Sequence, residues 1–139
     1  GNIVKNFAIN NTIAIITTNS SQNVNAFLIE HELEGCIHAV YGVDIPGSKA
    51  QKISIARNRF SADAKRESVF IVGDSLSDIR AAKEASVTSI AVTWGHQSLE
   101  HLLRGDPDYV VRFPHDLIEV IEKRSIMISR RCDFAPVMC

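Results

Sequence analysis

Two aspartates, Asp74 and Asp78, stand four residues apart at the end of the stretch Ser68-Val69-Phe70-Ile71-Val72-Gly73-Asp74-Ser75-Leu76-Ser77-Asp78. Carboxylates this close, at the mouth of one strand-to-helix turn, can hold a hard cation such as Mg2+, which takes a few carboxylates together with waters and phosphate oxygens. A second group of chemistry-bearing residues, Thr17-Thr18-Asn19-Ser20-Ser21, offers hydroxyls and amides with no apolar member. A third, Gly47-Ser48-Lys49, places an ammonium at the start of an expected helix, where the helix dipole disfavours a cation by roughly 0.3–1 kcal/mol. An anion bound between the helix end and the ammonium would remove that conflict. Neutral donors, a positive charge and a metal-binding pair are together what phosphoryl transfer needs. Each member alone has a plainer reading. An Asp, Thr or Asn before a helix is commonly a cap, and an exposed lysine commonly contributes little.

The elements that must position these groups follow from the apolar runs. Val69–Val72 is apolar and mostly β-branched, which reads as a strand buried on both faces of a parallel sheet. Gly73 ends it, and the absence of a Cβ permits a sharp turn and a close approach. A helix follows from Leu76 to Ala85. Thr12-Ile13-Ala14-Ile15-Ile16-Thr17 is a second buried strand, followed by a helix over about Gln22–Leu33 whose apolar face is Val24, Phe27, Leu28 and Leu33, with Gly35 as its stop. Ile37–Gly42 is a shorter strand, and Lys49–Phe60 a helix behind the Pro46-Gly47-Ser48 turn. Thr88–Trp94 is a strand leading into Gly95-His96. Ser98–Leu103 is a short helix, Asp108–Val111 an edge-like strand, and Pro114–Ile121 a helix opened by proline. Residues 1–11 suggest only the end of a helix. Strand and helix alternate throughout, so the fold class is α/β with a doubly wound parallel sheet. In such sheets ligands bind at the carboxyl ends of the strands, where all three polar groups fall.

The 139 residues are enough for one domain with a real core. Residues 1–123 are expected to form it, and 124–139 a tail lying on the surface, basic apart from Glu122 beside it and Asp133, with Ile126-Met127-Ile128 between the charges. A net charge of −1 argues against electrostatic capture of nucleic acid. No apolar run is long enough to cross a bilayer. Cys36, Cys132 and Cys139 are odd in number and lack metal-ligand spacing, which fits a reducing, cytoplasmic setting. Dinucleotide and nucleoside-triphosphate loop signatures are absent. The histidines are scattered, and only His96, leaving a strand on the ligand edge, stands near the other groups. Trp94 reads as core.

Taken together, these stretches resemble the haloacid dehalogenase-like (HAD) hydrolases, mostly phosphatases, over residues 10–121. Ile13–Asn19 is similar to the family's second motif, with Thr18 aligned to the residue that hydrogen-bonds the phosphoryl group and Thr17 as the alternative. Gly47-Ser48-Lys49 resembles the third, whose lysine stabilises phosphoryl charge, and Gly73–Asp78 the fourth, whose aspartates hold Mg2+. Ile90–His96 and Pro107–Val111 are similar to the phosphoglycolate phosphatase-like branch. The resemblance implies a Mg2+-dependent phosphatase of small phosphorylated metabolites, with Thr18, Asn19 and Lys49 handling phosphate. It also implies a departure. The family begins with a strand ending in Asp-x-Asp, which carries the nucleophile and lies centrally, between the strands ending at Thr18 and Asp74. No such strand precedes Thr12, and no cap domain is present. The resemblance therefore leaves three expectations open: an enzyme core lacking its nucleophile, an inactive binding module, or a protein completed by another chain that supplies the strand.

Overall fold

The structure, a computed structural model, describes residues 2–61, 63, 68–121 and 126–129. Six strands form one sheet: β1 (Thr12–Ile16), β2 (Ala39–Tyr41), β3 (Val69–Gly73), β4 (Thr88–Val92), β5 (Tyr109–Val111) and β6 (Ile126–Ser129). The helices are α1 (Asn2–Asn10), α2 (Ser21–Glu30), α3 (Lys49–Ser61), α4 (Leu76–Glu84), α5 (Leu99–Leu103) and α6 (Pro114–Ile121). The strand order is β2-β1-β6-β3-β4-β5, and every pairing is parallel. The α/β parallel architecture read from the sequence is therefore the observed one.

Alternation along the strands divides the core into two layers, because successive side chains of a strand point to opposite faces. Ile13, Ile15, Phe70, Val72, Ile90 and Val92 pack against Val4 and Phe7 of α1, Val24 and Leu28 of α2, and Leu117 and Ile121 of α6. Ala14, Ile16, Val69 and Ile71 face the other way, onto Ala50, Ile53 and Ala56 of α3 and Ala81 and Ala82 of α4. Leu102 of α5 joins that second face through Ile79 and Ala91. Strands β3 and β4 are buried at every residue, which is why β3 and the Ile90–Val92 part of β4 read as apolar runs rather than alternating ones, Thr88 and Ser89 being buried polar residues.

Two expectations are corrected. Helix α2 ends at Glu30 rather than Leu33, because Glu32 takes a left-handed conformation (φ 56°) and the Leu33 N–H donates back to the Leu28 carbonyl at 2.7 Å. That 6→1 bond closes the helix. Gly35, expected as the stop, lies instead in a short 3-10 turn, Glu34–Cys36. The larger correction concerns the tail. Ile126-Met127-Ile128-Ser129, read as surface-lying, is the central strand β6: Thr12–Ile15 pair with it on one side and Val69–Val72 on the other. The physical reason lies in the neighbours. With β6 absent, β1 and β3 would each expose a row of backbone N–H and C=O groups inside a folded protein, a cost that an apolar segment of the same chain removes. The remainder of the tail lies outside the described residues.

The topology fixes where a ligand would sit. From β1 the chain continues outward to β2, and from β3 it continues outward the other way to β4. The switch point, and with it the crevice at the carboxyl edge, falls between β1 and β3, over the end of β6.

Candidate functional site

Asp74, the first residue after β3, is 2% exposed, and Asp78, in the first turn of α4, is 1% exposed. The sequence from Gly73 to Asp78 explains how an acid is buried there. Ser75 is the N-cap of α4, and its hydroxyl accepts from the Asp78 N–H at 3.3 Å. Asp78 Oδ2 accepts in return from the Ser75 N–H at 3.1 Å and from Ser75 Oγ at 2.7 Å. This reciprocal capping box satisfies helix-end donors that have no intrahelical partner. Gly73 is required by the same arrangement, since a Cβ there would come within 2.5 Å of the Asp78 side chain.

Lys49, the first residue of α3, reaches across from the β2–α3 loop. Its Nζ lies 3.3 Å from Asp78 Oδ1 and also donates to Ser77 Oγ. The lysine side chain is about a quarter exposed, whereas that of Asp78 is fully buried. The cation at a helix amino terminus, unfavourable for its own helix, is thus met by a buried carboxylate of the neighbouring turn.

Thr17, buried at the end of β1, accepts the Asn19 N–H at its Oγ1 (3.0 Å). Asn19 Oδ1 accepts from the Ser20 N–H at 2.9 Å and from Asn23 Nδ2 at 3.1 Å, so this side chain braces the start of α2, where Ser20 is the N-cap. Asn19 therefore braces the turn ahead of the Ser20 cap rather than capping the helix itself, while Thr18 is exposed at the carboxyl end of β1.

Four consecutive strand-to-helix loops are stitched pairwise along this edge. The Val43 N–H donates to the Asn19 carbonyl at 2.8 Å, and the Ser21 N–H to Asp44 Oδ1 at 2.6 Å, joining the first loop to the second. Lys49 on Asp78 joins the second to the third. The His96 N–H donates to Asp74 Oδ2 at 3.2 Å, and the Leu76 N–H to Gln97 Oε1 at 2.7 Å, joining the third to the fourth. Asp44, Gln97, Ser75 and Ser77 are the participants that the motif reading did not single out. Lys52 is a further one, 7% exposed, whose Nζ donates to the Gly42 carbonyl at 2.8 Å and anchors the base of the second loop.

The Ser21 N–H and hydroxyl hold the Asp44 carboxyl below its ordinary value of 3.8. A carboxylate whose folded value is lowered stabilises the fold above its unfolded value, and that contribution disappears as pH falls through the lowered one. Replacing Asp44 with Asn is therefore expected to flatten the acid limb of a urea-midpoint-versus-pH curve below about pH 4. An unchanged slope would mean that the bond to Ser21 does not persist in solution.

A shallow groove lined by Pro46, Ala50, Ile55 and Glu84 runs along α3 to the end of α4. Apart from adjacency to Lys49 it contains none of the residues above, and its polar lining, Gln51, Ser54 and Glu84, brings no cation together with the acids, so the carboxyl edge is the better candidate. Trp94 packs against the core, as expected. Among the described residues no three His, Cys, Asp or Glu side chains converge as a metal cluster, and no helix is long and apolar enough to cross a membrane.

A doubly wound parallel sheet with acids, a lysine and hydroxyls at its switch point defines a class of α/β proteins whose ligand sites lie at the carboxyl edge rather than one activity. The comparisons are narrower. The profile of the family described as haloacid dehalogenase-like hydrolase matches residues 7–92. A phosphoglycolate phosphatase of Synechococcus elongatus is 31% identical over 111 residues, 78% of this chain and 50% of that protein. The pyrophosphatase PpaX of Anoxybacillus flavithermus is 28% identical over 110 residues, 78% of this chain and 51% of that protein. A haloacid dehalogenase-like family hydrolase of Streptococcus pneumoniae superposes with a TM-score of 0.72 at 21% identity, over 85% of this chain and 56% of that one. The chain belongs to the haloacid dehalogenase-like hydrolase family. It spans about half the length of the curated relatives it matches.

Proposed function

We propose that this chain is the phosphate-handling part of a Mg2+-dependent phosphatase acting on small phosphorylated metabolites in the cytoplasm. The observation that carries the reading is the contact of Lys49 with the buried Asp78 at the switch point, a cation and an acid from separate loops brought together at the ligand edge. The relatives named phosphoglycolate phosphatase and pyrophosphatase support the substrate class.

In this reading Lys49 neutralises phosphoryl charge, and Thr18 with the loop around Asn19 orients the phosphoryl oxygens. The exposed position of Thr18, against the buried and already accepting Thr17, supports Thr18 for that task. Asp74 and Asp78 suit Mg2+ in donor chemistry, being buried oxygen ligands. Asp78 accepts from Ser75 and contacts Lys49, and Asp74 Oδ2 accepts from the His96 N–H, so the pair is two donors of a fuller set. A bound Mg2+ would supply charge neutralisation to the departing phosphoryl group.

Hydrolysis of a phosphate ester also needs a nucleophile aligned about 3–3.5 Å from phosphorus. The resemblance gives that task to an Asp-x-Asp strand in the position held here by β6, which is Ile-Met-Ile-Ser and carries no carboxylate. The expected behaviour of the 139-residue chain is therefore binding without robust turnover, and the same composition of β6 favours, as a second reading, a phosphate-binding module. With β6 seated between β1 and β3, the described sheet has no gap there for a strand from another chain.

The test is calorimetric titration with Mg2+ and with inorganic phosphate, alongside an assay on a panel of small phosphate esters. Asp74→Asn should weaken Mg2+ binding, and Lys49→Met phosphate binding, each by about tenfold or more, consistent with loss of a charge-assisted contact. Unchanged binding in both variants would refute the site. Robust ester turnover that vanishes in Asp74→Asn would refute the absence of a nucleophile.

A further inference from the structure

We infer that Gln97, which belongs to neither the acidic pair nor the phosphate-handling residues, is the positioning residue that sets the direction of the Asp74 carboxylate. The loop from β4 to α5 grips the Asp74 turn at two points within two residues. At one, the His96 N–H donates to Asp74 Oδ2 at 3.2 Å. At the other, the Gln97 side chain reaches back to accept the Leu76 N–H at 2.7 Å. Leu76 is the first residue of α4, and its N–H is one of the helix-end donors that nothing inside the helix can satisfy. Leu76 is also buried, at 8% exposure, so the donor would be costly to leave unmet.

The far side of Gln97 is fixed independently. Ser98, the next residue, is the N-cap of α5 and accepts the His101 N–H at 3.2 Å. Leu102 of the same helix is fully buried against Ile79 and Ala91. Gln97, the residue before the N-cap of one helix, thus holds the start of another, and the His96 N–H donates to Asp74 from the same span. At 3.2 Å the His96 bond is the longer of the two. Removing the Gln97 acceptor releases the loop, and with it the donor that orients Asp74. The alternative, a residue that merely caps α4, would leave His96 in place.

The coupling of the two bonds stands on geometry alone, while its consequence for a cation rests on the phosphatase reading above. The measurement is backbone amide hydrogen exchange by NMR on the 139-residue chain. In Gln97→Leu, and in Gln97→Asn, whose side chain is one methylene shorter, the amides of both Leu76 and His96 should exchange faster, about fivefold at Leu76, as loss of a typical neutral hydrogen bond implies, and at least as much at His96, whose acceptor is a carboxylate. The core amides of Ile71 and Ile90 should not change. Gln97→Glu keeps an acceptor at the same reach and adds a negative charge at a helix amino terminus, where it is favoured, so protection at both amides should return. Faster exchange at Leu76 alone, or failure of Glu to restore either amide, would overturn the inference. In the same variants Mg2+ affinity should fall with the Leu and Asn substitutions and recover with Glu. A parent chain that binds no Mg2+ would count against the phosphatase reading, and the exchange result would still decide the role of Gln97.

Discussion

Gly95→Ala is expected to destabilise the chain by about 3 kcal/mol, the upper end of what an overpacked site usually costs. Gly95 follows Trp94 at the carboxyl end of β4 and packs directly on Asp74. A Cβ built there overlaps Oδ2, Cγ and Cβ of the aspartate. The clash is unusual in where it falls. The far atoms of a side chain can swing away, but the Asp74 Cβ is tied to the backbone at the end of β3, and β3 is buried at every residue. Relief therefore requires either that the β4–α5 loop lift off, breaking the His96 bond to Asp74 and the Gln97 bond to Leu76, or that two central strands separate. Total stabilities of domains this size are about 5–15 kcal/mol, so the loss should appear as a large fall in urea midpoint at unchanged slope. Gly35→Ala is the control, because a Cβ there meets nothing within 4 Å, and it should shift the midpoint little. A Gly95→Ala chain as stable as the parent would show that the loop does not rest on Asp74 in solution.

The difference between what the sequence discloses and what it conceals can be seen in particular residues. Strands β1, β3 and β4 are legible because a strand covered on both faces is mostly apolar, and Ile13–Ile16, Val69–Val72 and Ile90–Val92 are apolar runs. The proximity of Lys49 and the acids is legible only in part: type and spacing place all three at strand ends, but Asp78 also serves a capping box, and its contact with Lys49 joins residues 29 positions apart. Strand β6 is concealed. Its apolar part is three residues long and is flanked by Lys123-Arg124 and Arg130-Arg131, a pattern that local reading assigns to the surface. What makes it central is a demand set elsewhere, the unmet backbone groups of β1 and β3, and no window around Met127 contains that information. Gln97 is concealed for a related reason. An amide side chain carries no spacing rule, and its role depends on Gly95 letting the loop settle on Asp74, a contact between residues 21 positions apart.

Met127→Pro is the direct test of that central strand, and its expected cost is at least about 3 kcal/mol, from a lost ladder bond together with a buried carbonyl left without its donor. The argument uses the backbone only. Met127 is paired with Ile13 on one side and Phe70 on the other. Whichever way its N–H points, it meets a strand, and proline has no N–H to give. The control is Val110→Pro in the edge strand β5. There the Val111 carbonyl accepts from the Thr93 N–H at 3.1 Å. Residues of a parallel strand direct their polar groups to alternate sides, so the N–H of Val110 points away from β4, at the open edge of the sheet. Proline at that position should cost within about 1 kcal/mol, since no ladder bond is removed. Equilibrium urea unfolding of the two variants, followed by Trp94 fluorescence, compares them on one probe. If Met127→Pro costs no more than Val110→Pro, the segment is not held between β1 and β3 in solution. The slot at the switch point would then be open to another strand. If the central proline is the costly one, β6 is held between β1 and β3, and the switch point lies over a strand whose sequence is Ile-Met-Ile-Ser, without a carboxylate.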